Sequence, residues 1–175
     1  MPGLTQSDIR RLFELLNEEL AKSESHAELF LVGGAVMCLS YNARASTEDV
    51  DALFRPTVEV RQAAVRVAAR AGVADDWLND GVRGFMSTQG DFVPFLEMDH
   101  LRIMVAQPAY LLAMKCLAMR IGVEFHDEDD IRYLLRLLDI RSYEHAISAI
   151  SKYYPLDRFP QKTLYALAEL LPQRH

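Results

Sequence analysis

The hydrophobic and polar positions near the start of the chain change from helical to strand spacing. Apolar residues in 6–22 recur every three or four positions, which predicts an amphipathic helix with Thr5 or Ser7 as its N-cap. The run LFLV at 29–32 is short and continuously apolar, which is typical of a strand buried on both faces. We therefore expect a covering helix followed by a central strand.

A second strand and a second long helix follow. Acidic and apolar positions alternate in 48–54, which predicts a strand whose polar end opens to solvent. Small and apolar residues then recur with helical spacing from 58 to Gly72, a residue type that often ends helices. Between the two strands, the glycine pair at 33–34 leads into a short apolar helix. The first half is thus predicted to alternate helices and strands.

The second half changes from an irregular connection to a run of helices. Residues 73–91 are rich in Asp, Asn and Gly and predict a long connection, whose Trp77 either anchors the loop in the core or lines a pocket. The polar candidates for such a pocket wall are Asn79, Asp80 and Arg83. Two apolar stretches around Asp99 and His100 predict a hairpin or two successive strands. From Pro108 onward, four segments with apolar stripes predict helices.

Together these elements predict an α+β fold in one compact unit. A small mixed sheet of about four strands, flanked by helices, is expected in residues 1–107, and a helical region in residues 108–175 is expected to pack on it. A length of 175 residues suits a single domain with its own core, because domains most often contain about 100–150 residues.

The composition indicates where in the cell the protein is expected and how its cysteines are used. Half of the residues are hydrophobic, a quarter are charged, and no apolar run approaches the roughly 20 residues that span a bilayer. The first residues lack the pattern of a signal peptide, so we expect a cytoplasmic protein with no membrane partner. Cys38 and Cys116 each lie alone in an apolar helical pattern, which predicts small buried hydrophobes rather than a disulfide or a zinc site.

Charge limits the classes of partner. The formal net charge of −6 argues against non-specific binding to DNA or to anionic membranes, which requires an excess of Lys and Arg. A local basic cluster is still compatible with it, and four arginines recur along one predicted helix: Arg55, Arg61, Arg66 and Arg70. They form either a solvated face, which is the simpler interpretation, or a track for phosphates.

The candidate chemistry lies around the first two predicted strands. Gly33 and Gly34 stand where a strand passes into a helix, a place where glycine lets the backbone approach a ligand such as a phosphate closely. Asp49 and Asp51 are two positions apart, so strand alternation places both carboxylates on one face with Val50 buried behind them. A tight turn and a solvated strand end explain each feature taken alone. Their order in the chain instead favours a magnesium–nucleotide site, because Mg²⁺ bridges carboxylates to phosphates.

These residues also carry a resemblance to a known family. The stretch GGAVMCLSYNARASTEDVDALF resembles the signature of the DNA-polymerase-beta-type nucleotidyltransferase superfamily, in which a glycine pair precedes a helix and an acidic-x-acidic strand. More narrowly, it is similar to small bacterial nucleotidyltransferases related to the AbiEii-type toxins of abortive-infection and toxin–antitoxin systems. A second matching block, PAYLLAMKCLAMRIGVEFHDEDDIRYLL, contains Lys115 and an acidic group, Asp127, Asp129 and Asp130.

The resemblance implies an enzyme that transfers a nucleoside monophosphate from an NTP to an acceptor hydroxyl on RNA, protein or a small molecule. It implies two Mg²⁺ ions held by Asp49 and Asp51, and possible pairing with a cognate antitoxin or toxin protein. The implied nucleotide-binding residues are Gly33, Gly34, Arg44, Ser46 and Lys115. Structural roles stay open for the charged residues of both blocks: Lys115 as a snorkelling helix lysine, Arg44 as a surface ion pair, and the acidic group as helix-start carboxylates.

The chain departs from the family pattern in its third carboxylate. Active members usually carry one on a later strand, where it binds metal and acts as the base for the incoming hydroxyl. Glu97 is the preferred candidate here, and Asp99 and Asp91 are less well placed. Without such a residue the general base is missing. The alternative hypothesis is therefore a non-catalytic module that keeps the fold to bind a nucleotide or a protein partner.

Overall fold

In the computed structural model, residues 3–118 and 127–171 are described, and the chain divides into two units. The first unit contains the residues up to Gly84 together with Phe92–Ala106, and the second contains Phe85–Asp91 and the residues from Gln107 onward. The segment 85–91 thus belongs with the C-terminal helices. The described residues form seven α-helices, a five-stranded mixed sheet and a two-stranded sheet, which confirms the predicted α+β class.

The first unit alternates strands and helices. In chain order its elements are β1 (Leu4–Thr5), α1 (Gln6–Lys22), β2 (Ala27–Val32), α2 (Gly34–Leu39), β3 (Ser46–Thr47), β4 (Val50–Arg55), α3 (Thr57–Ala71), β5 (Leu78–Asn79), β6 (Phe92–Glu97) and β7 (Leu101–Ala106). The main sheet has the order β5-β4-β2-β7-β6. Strand β2 is antiparallel to β4 and parallel to β7, β4 is parallel to β5, and β6 and β7 form the predicted hairpin.

One face of this sheet forms the core. Val50, Ala52 and Phe54 alternate along β4 and are almost completely buried, as the pattern in 48–54 predicted. Helices α1 and α3 pack against each other and against strands of the sheet. The prediction that the central strand is buried on both faces is only partly right, because Phe30 is half-buried. The second face, which carries Phe30, also carries Asp51, since alternating residues along β4 point to opposite sides.

The ends of the long helices follow their sequence signals. Thr5 caps α1: its hydroxyl accepts a hydrogen bond from the backbone N–H of Asp8 at 3.2 Å, and the Asp8 carboxylate accepts one from the Thr5 N–H at 2.9 Å. That backbone hydrogen bond holds the pKa of Asp8 below its usual value. Gly72 ends α3 with a left-handed φ of 70°, which glycine adopts without a Cβ penalty.

The four arginines are ion-paired. Arg55 ends β4 rather than lying on the helix, and its Nε is 2.9 Å from Glu28. On α3 the pairs are Arg61 with Asp80 at 3.0 Å, Arg66 with Glu19 at 3.3 Å and Arg70 with Glu18 at 2.8 Å. A hydrogen bond from Lys22, together with the guanidinium groups of Arg66 and Arg70, holds the pKa of Glu19 below its usual value. The arrangement favours the solvated face over a phosphate track, because each arginine already faces a carboxylate.

The second unit is helical, as predicted. Its helices are α4 (Pro108–Leu117), α5 (Asp127–Leu137), α6 (Tyr143–Ile150) and α7 (Gln161–Leu170), while the last two positions of the helix expected over 109–120 lie outside the described residues. The segment 85–91 is bound to this unit, because the Ser87 N–H donates to the Tyr110 hydroxyl of α4 and the Tyr154 hydroxyl, after α6, donates to the Phe85 carbonyl.

Both cysteines are buried, as predicted, and burial raises the pKa of the Cys116 thiol to about 12. Among the helices in 3–118 and 127–171, none combines the length and the apolar character needed to cross a bilayer.

Candidate functional site

The turn between β2 and α2 lies against a carboxylate. Gly33 has φ 70° and ψ −152°, a backbone region essentially restricted to glycine. A Cβ added at this position would lie only 3.0 Å from Oδ2 of Asp51. Glycine is therefore required here both by the backbone angle and by the close approach of Asp51. Helix α2 has only six residues, so the backbone of the turn itself, rather than a long helix dipole, is what the site presents.

The two aspartates lie where β4 begins. Asp51 is the second residue of β4 and pairs with Val32, while Asp49 precedes the strand. Val50 between them is completely buried, and both aspartates are partly exposed. The predicted arrangement of two carboxylates in front of a buried valine is thus present, immediately beside the glycine turn.

Asn79 lies next to the two aspartates on β5, the strand that pairs with β4 on the edge opposite β2. Its register partner is Asp51, so the two side chains share a face of the sheet. Its amide Nδ2 donates a hydrogen bond to Oδ2 of Asp49 at 3.1 Å. Sequence reasoning placed Asn79 only in a general pocket wall. A two-residue strand gives no alternating pattern, so its pairing with β4 was not predictable from the residues alone.

The Arg-x-Ser-Thr segment at 44–47 contributes Arg44 and Thr47 to the glycine turn. A Cβ added at Gly34 would lie 2.5 Å from Nη1 of Arg44 and 2.6 Å from the hydroxyl of Thr47. Thr47 also donates a hydrogen bond to the Asp49 carbonyl at 3.3 Å. The predicted position of Arg44 beside the glycines is therefore present, and sequence reasoning overlooked Thr47.

Ser46 does not lie at the glycine turn, and its role in nucleotide binding stays a prediction. Strand β3 pairs with β1, and this pairing turns the Ser46 side chain toward the N-terminal segment. A Cβ added at Gly3 would lie 2.8 Å from the Ser46 hydroxyl. Because neighbouring strand residues point to opposite faces, Thr47 rather than Ser46 meets the turn.

The prediction that Glu97 is the third carboxylate of the site is wrong. Cross-strand pairing places Glu97 level with Arg102, Arg102 level with Glu28, and Glu28 level with Arg55. Arg55 is the last residue of β4, at the opposite end from Asp51. Strand spacing therefore separates Glu97 from Asp51 by about 13 Å along the strands and about 14 Å across them.

Among the residues the structure describes, neither of the other two candidates forms a three-carboxylate group with Asp49 and Asp51. Asp99 lies in the β6–β7 turn, at the same end of the sheet as Glu97. Asp91 belongs to the second unit, where its carboxylate accepts a hydrogen bond from the Tyr153 hydroxyl at 3.3 Å. That carboxylate and burial both raise the pKa of Tyr153, with burial the larger effect.

Lys115 lies in the second unit with two of the predicted acidic residues. Its Nζ is 2.8 Å from Asp130 and 3.4 Å from Asp127, and all three side chains are largely buried, with 11%, 2% and 7% of their surface exposed. Asp129 is exposed. Lys115 is therefore neither a snorkelling surface lysine nor a surface ion-pair partner, since it joins α4 to the start of α5 inside the unit.

The donors around Asp49 and Asp51 suit a single magnesium ion. Mg²⁺ takes oxygen ligands and is typically held by one or two carboxylates together with substrate phosphates and water. Within 3–118 and 127–171, no three His, Cys, Asp or Glu side chains come together as a metal-binding group. The two carboxylates offer oxygen ligands for one such ion, with water or phosphates completing its coordination.

Comparison with known proteins adds no relative. A scan against models of protein families, a search of curated proteins and a search of solved structures each returned no match.

Proposed function

We propose that this protein is a magnesium-dependent nucleotidyltransferase that moves a nucleoside monophosphate from an NTP to an acceptor hydroxyl. The observation that carries the proposal is the packing of Gly33, with its positive φ, against the carboxylate of Asp51. A bare backbone turn and a carboxylate pair in contact are the two parts that a triphosphate with a bound cation requires.

Each part of the site has a role in this proposal. Asp49 and Asp51 hold the magnesium, which supplies charge stabilisation at the phosphates when it is bound. The backbone at Gly33 and Gly34 lies along the triphosphate, beside the Asp51 carboxylate and the Arg44 guanidinium. Arg44, whose guanidinium lies beside Gly34, neutralises phosphate charge.

The transfer itself exchanges one bond to the α-phosphorus for another. The acceptor oxygen forms a bond to this phosphorus, and the bond from the α-phosphorus to the bridging oxygen breaks, which releases pyrophosphate. In the described part of the chain no third carboxylate stands at Asp49 and Asp51, so the hydroxyl proton leaves to water in this proposal. The family resemblance extends the proposal in two ways. It implies that the acceptor is RNA, protein or a small molecule, and that the protein acts in a toxin–antitoxin pair.

Label transfer tests this function. Purified protein is incubated with Mg²⁺, each α-labelled NTP in turn, and total RNA or cell lysate. We expect label on an acceptor, and we expect the double variant Asp49→Asn, Asp51→Asn to reduce it about a hundredfold or more, because a metal contributes several kcal/mol of charge stabilisation and each 1.4 kcal/mol is tenfold. The matched control is Asp75→Asn, Asp76→Asn, a pair of exposed aspartates that precedes β5 and should transfer normally.

A second candidate function is nucleotide or partner binding without transfer. It is favoured by the position of Glu97 at the far end of the sheet and by the absence of a three-carboxylate group among the residues the structure describes. Label transfer, with binding of the same labelled NTPs measured by equilibrium dialysis alongside it, separates the two functions. Nucleotide binding that needs Asp49 and Asp51, with no label on any acceptor, would support the binding module and contradict the transferase.

A further inference from the structure

We propose that Asn79 is a positioning residue that holds the Asp49 carboxylate in place for a divalent cation. Because the cation site belongs to the proposed function, this role rests on that function and specifies how its metal ligands are arranged. Metal-binding side chains are commonly oriented by a hydrogen bond from a neighbouring group, and loss of that neighbour typically weakens metal binding about 10- to 100-fold.

The sheet register brings Asn79 to the carboxylates. Asn79 is the direct partner of Asp51 in the β4–β5 pair, and Asp49 lies two positions before Asp51, just ahead of the strand. The Nδ2 of Asn79 reaches Oδ2 of Asp49 at 3.1 Å. On the opposite side of β4, Asp51 pairs with Val32, which offers no polar atom in its side chain. The amide next to the two carboxylates therefore comes from β5, through Asn79.

A second hydrogen bond fixes the orientation of the amide. The backbone N–H of Gly81 donates to Oδ1 of Asn79 at 3.2 Å. Only the oxygen of an amide can accept that bond, so the NH₂ group must face Asp49, where a carboxylate needs a donor. The two contacts agree with each other, and neither works if the amide is flipped. Asn79 is thus oriented toward Asp49 before any cation arrives.

The chain is anchored on both sides of Asn79. Before it, the Trp77 carbonyl accepts a hydrogen bond from the Val50 N–H at 2.7 Å, and the buried Trp77 indole donates to the Ala64 carbonyl at 2.9 Å. After it, the Asp80 carboxylate binds Arg61 of α3 through two hydrogen bonds of 3.0 and 3.1 Å. Strand β5 is short, but these anchors hold Asn79 against β4.

The role of Asn79 differs from that of Thr47, the other polar neighbour of Asp49. Thr47 donates to the backbone carbonyl of Asp49, so it fixes the main chain and leaves the carboxylate to be oriented by other groups. Asn79 acts on the carboxylate itself. Substitution of Asn79 should therefore change cation binding more than it changes the fold.

Two substitutions separate an orienting amide from a space-filling residue. Asn79→Leu keeps the branched shape of the side chain but removes the amide, whereas Asn79→Gln keeps an amide that can still donate. Mn²⁺ binding without nucleotide is measured by electron paramagnetic resonance for the unchanged protein and both variants, and folding is checked by circular dichroism. The control is Gln62→Leu, which removes an exposed amide from α3.

We expect Asn79→Leu to raise the Mn²⁺ dissociation constant about tenfold or more, and Asn79→Gln to raise it less than about threefold. Equal Mn²⁺ affinities of Asn79→Leu and the unchanged protein would overturn the role of Asn79 and leave the proposed function standing. Amide-dependent Mn²⁺ binding by a protein that transfers no label would do the reverse. If the unchanged protein binds no Mn²⁺ without nucleotide, the positioning role is overturned, and the label-transfer experiment alone decides the metal-dependent function.

Discussion

Replacement of Trp77 by alanine is expected to lower the free energy of unfolding by about 3–5 kcal/mol, the range typical of a buried Trp→Ala change. Trp77 retains only 2% of its surface and is among the largest fully buried side chains. Its indole N–H donates to the Ala64 carbonyl of α3. The substitution leaves a cavity and removes the hydrogen-bond donor, so the transfer and cavity terms add. From the sequence, Trp77 could either anchor the loop in the core or line a pocket. Its burial supports the role of a core anchor.

Urea unfolding measures this effect. Trp77→Phe keeps an aromatic ring but loses the donor, so we expect an intermediate loss of about 1–3 kcal/mol. Val65→Ala is the control, since Val65 lies on α3 with 44% of its surface exposed, and its effect should stay within about 0.5 kcal/mol. A loss below about 1 kcal/mol for Trp77→Ala would contradict the assignment of Trp77 as the anchor of β5.

Replacement of Lys115 by alanine is expected to destabilise the protein by about 3–5 kcal/mol, because removal of one partner of a buried ion pair leaves an uncompensated charge. Asp130 has 2% and Asp127 7% of its side chain exposed, so neither carboxylate regains full hydration when the ammonium is lost. This effect is structural. It would be present in the absence of any nucleotide.

The control is Lys152→Ala, which removes an exposed lysine from the same unit and should change stability by less than about 0.5 kcal/mol. Lys115→Ala, Asp130→Asn lowers the residual buried charge, so we expect the double variant to be more stable than Lys115→Ala alone. If Lys115→Ala unfolds at the same urea concentration as the unchanged protein, the structural role of Lys115 is wrong.

The fold was predictable where periodic segments are long. Helices α1 and α3 carry many apolar positions and clear end signals at Thr5 and Gly72, and both occur as predicted. Strands β1, β3 and β5 were missed because each contains two residues, and a two-residue strand is defined by its pairing partner rather than by its own pattern. The predicted four strands became five in the main sheet for this reason.

The candidate site was predictable only where its residues are neighbours in sequence. The proximity of Asp49 and Asp51 was predictable because the two residues are only two positions apart, at the start of β4. Whether Ser46 or Thr47 meets the glycine turn depends on pairing between β1 and β3, and the position of Glu97 depends on register across four strands. Asn79 reaches Asp49 across a separation of 30 positions in the chain, which no local pattern encodes.

The most direct measurement of the central claim is a crystal structure of the protein with Mg²⁺ and an NTP analogue whose bond between the α- and β-phosphates cannot be cleaved. We predict one ion about 2.1 Å from carboxylate oxygens of Asp49 and Asp51, with the triphosphate along Gly33 and Gly34. A nucleotide bound elsewhere, with no ion at the two aspartates, would contradict the account.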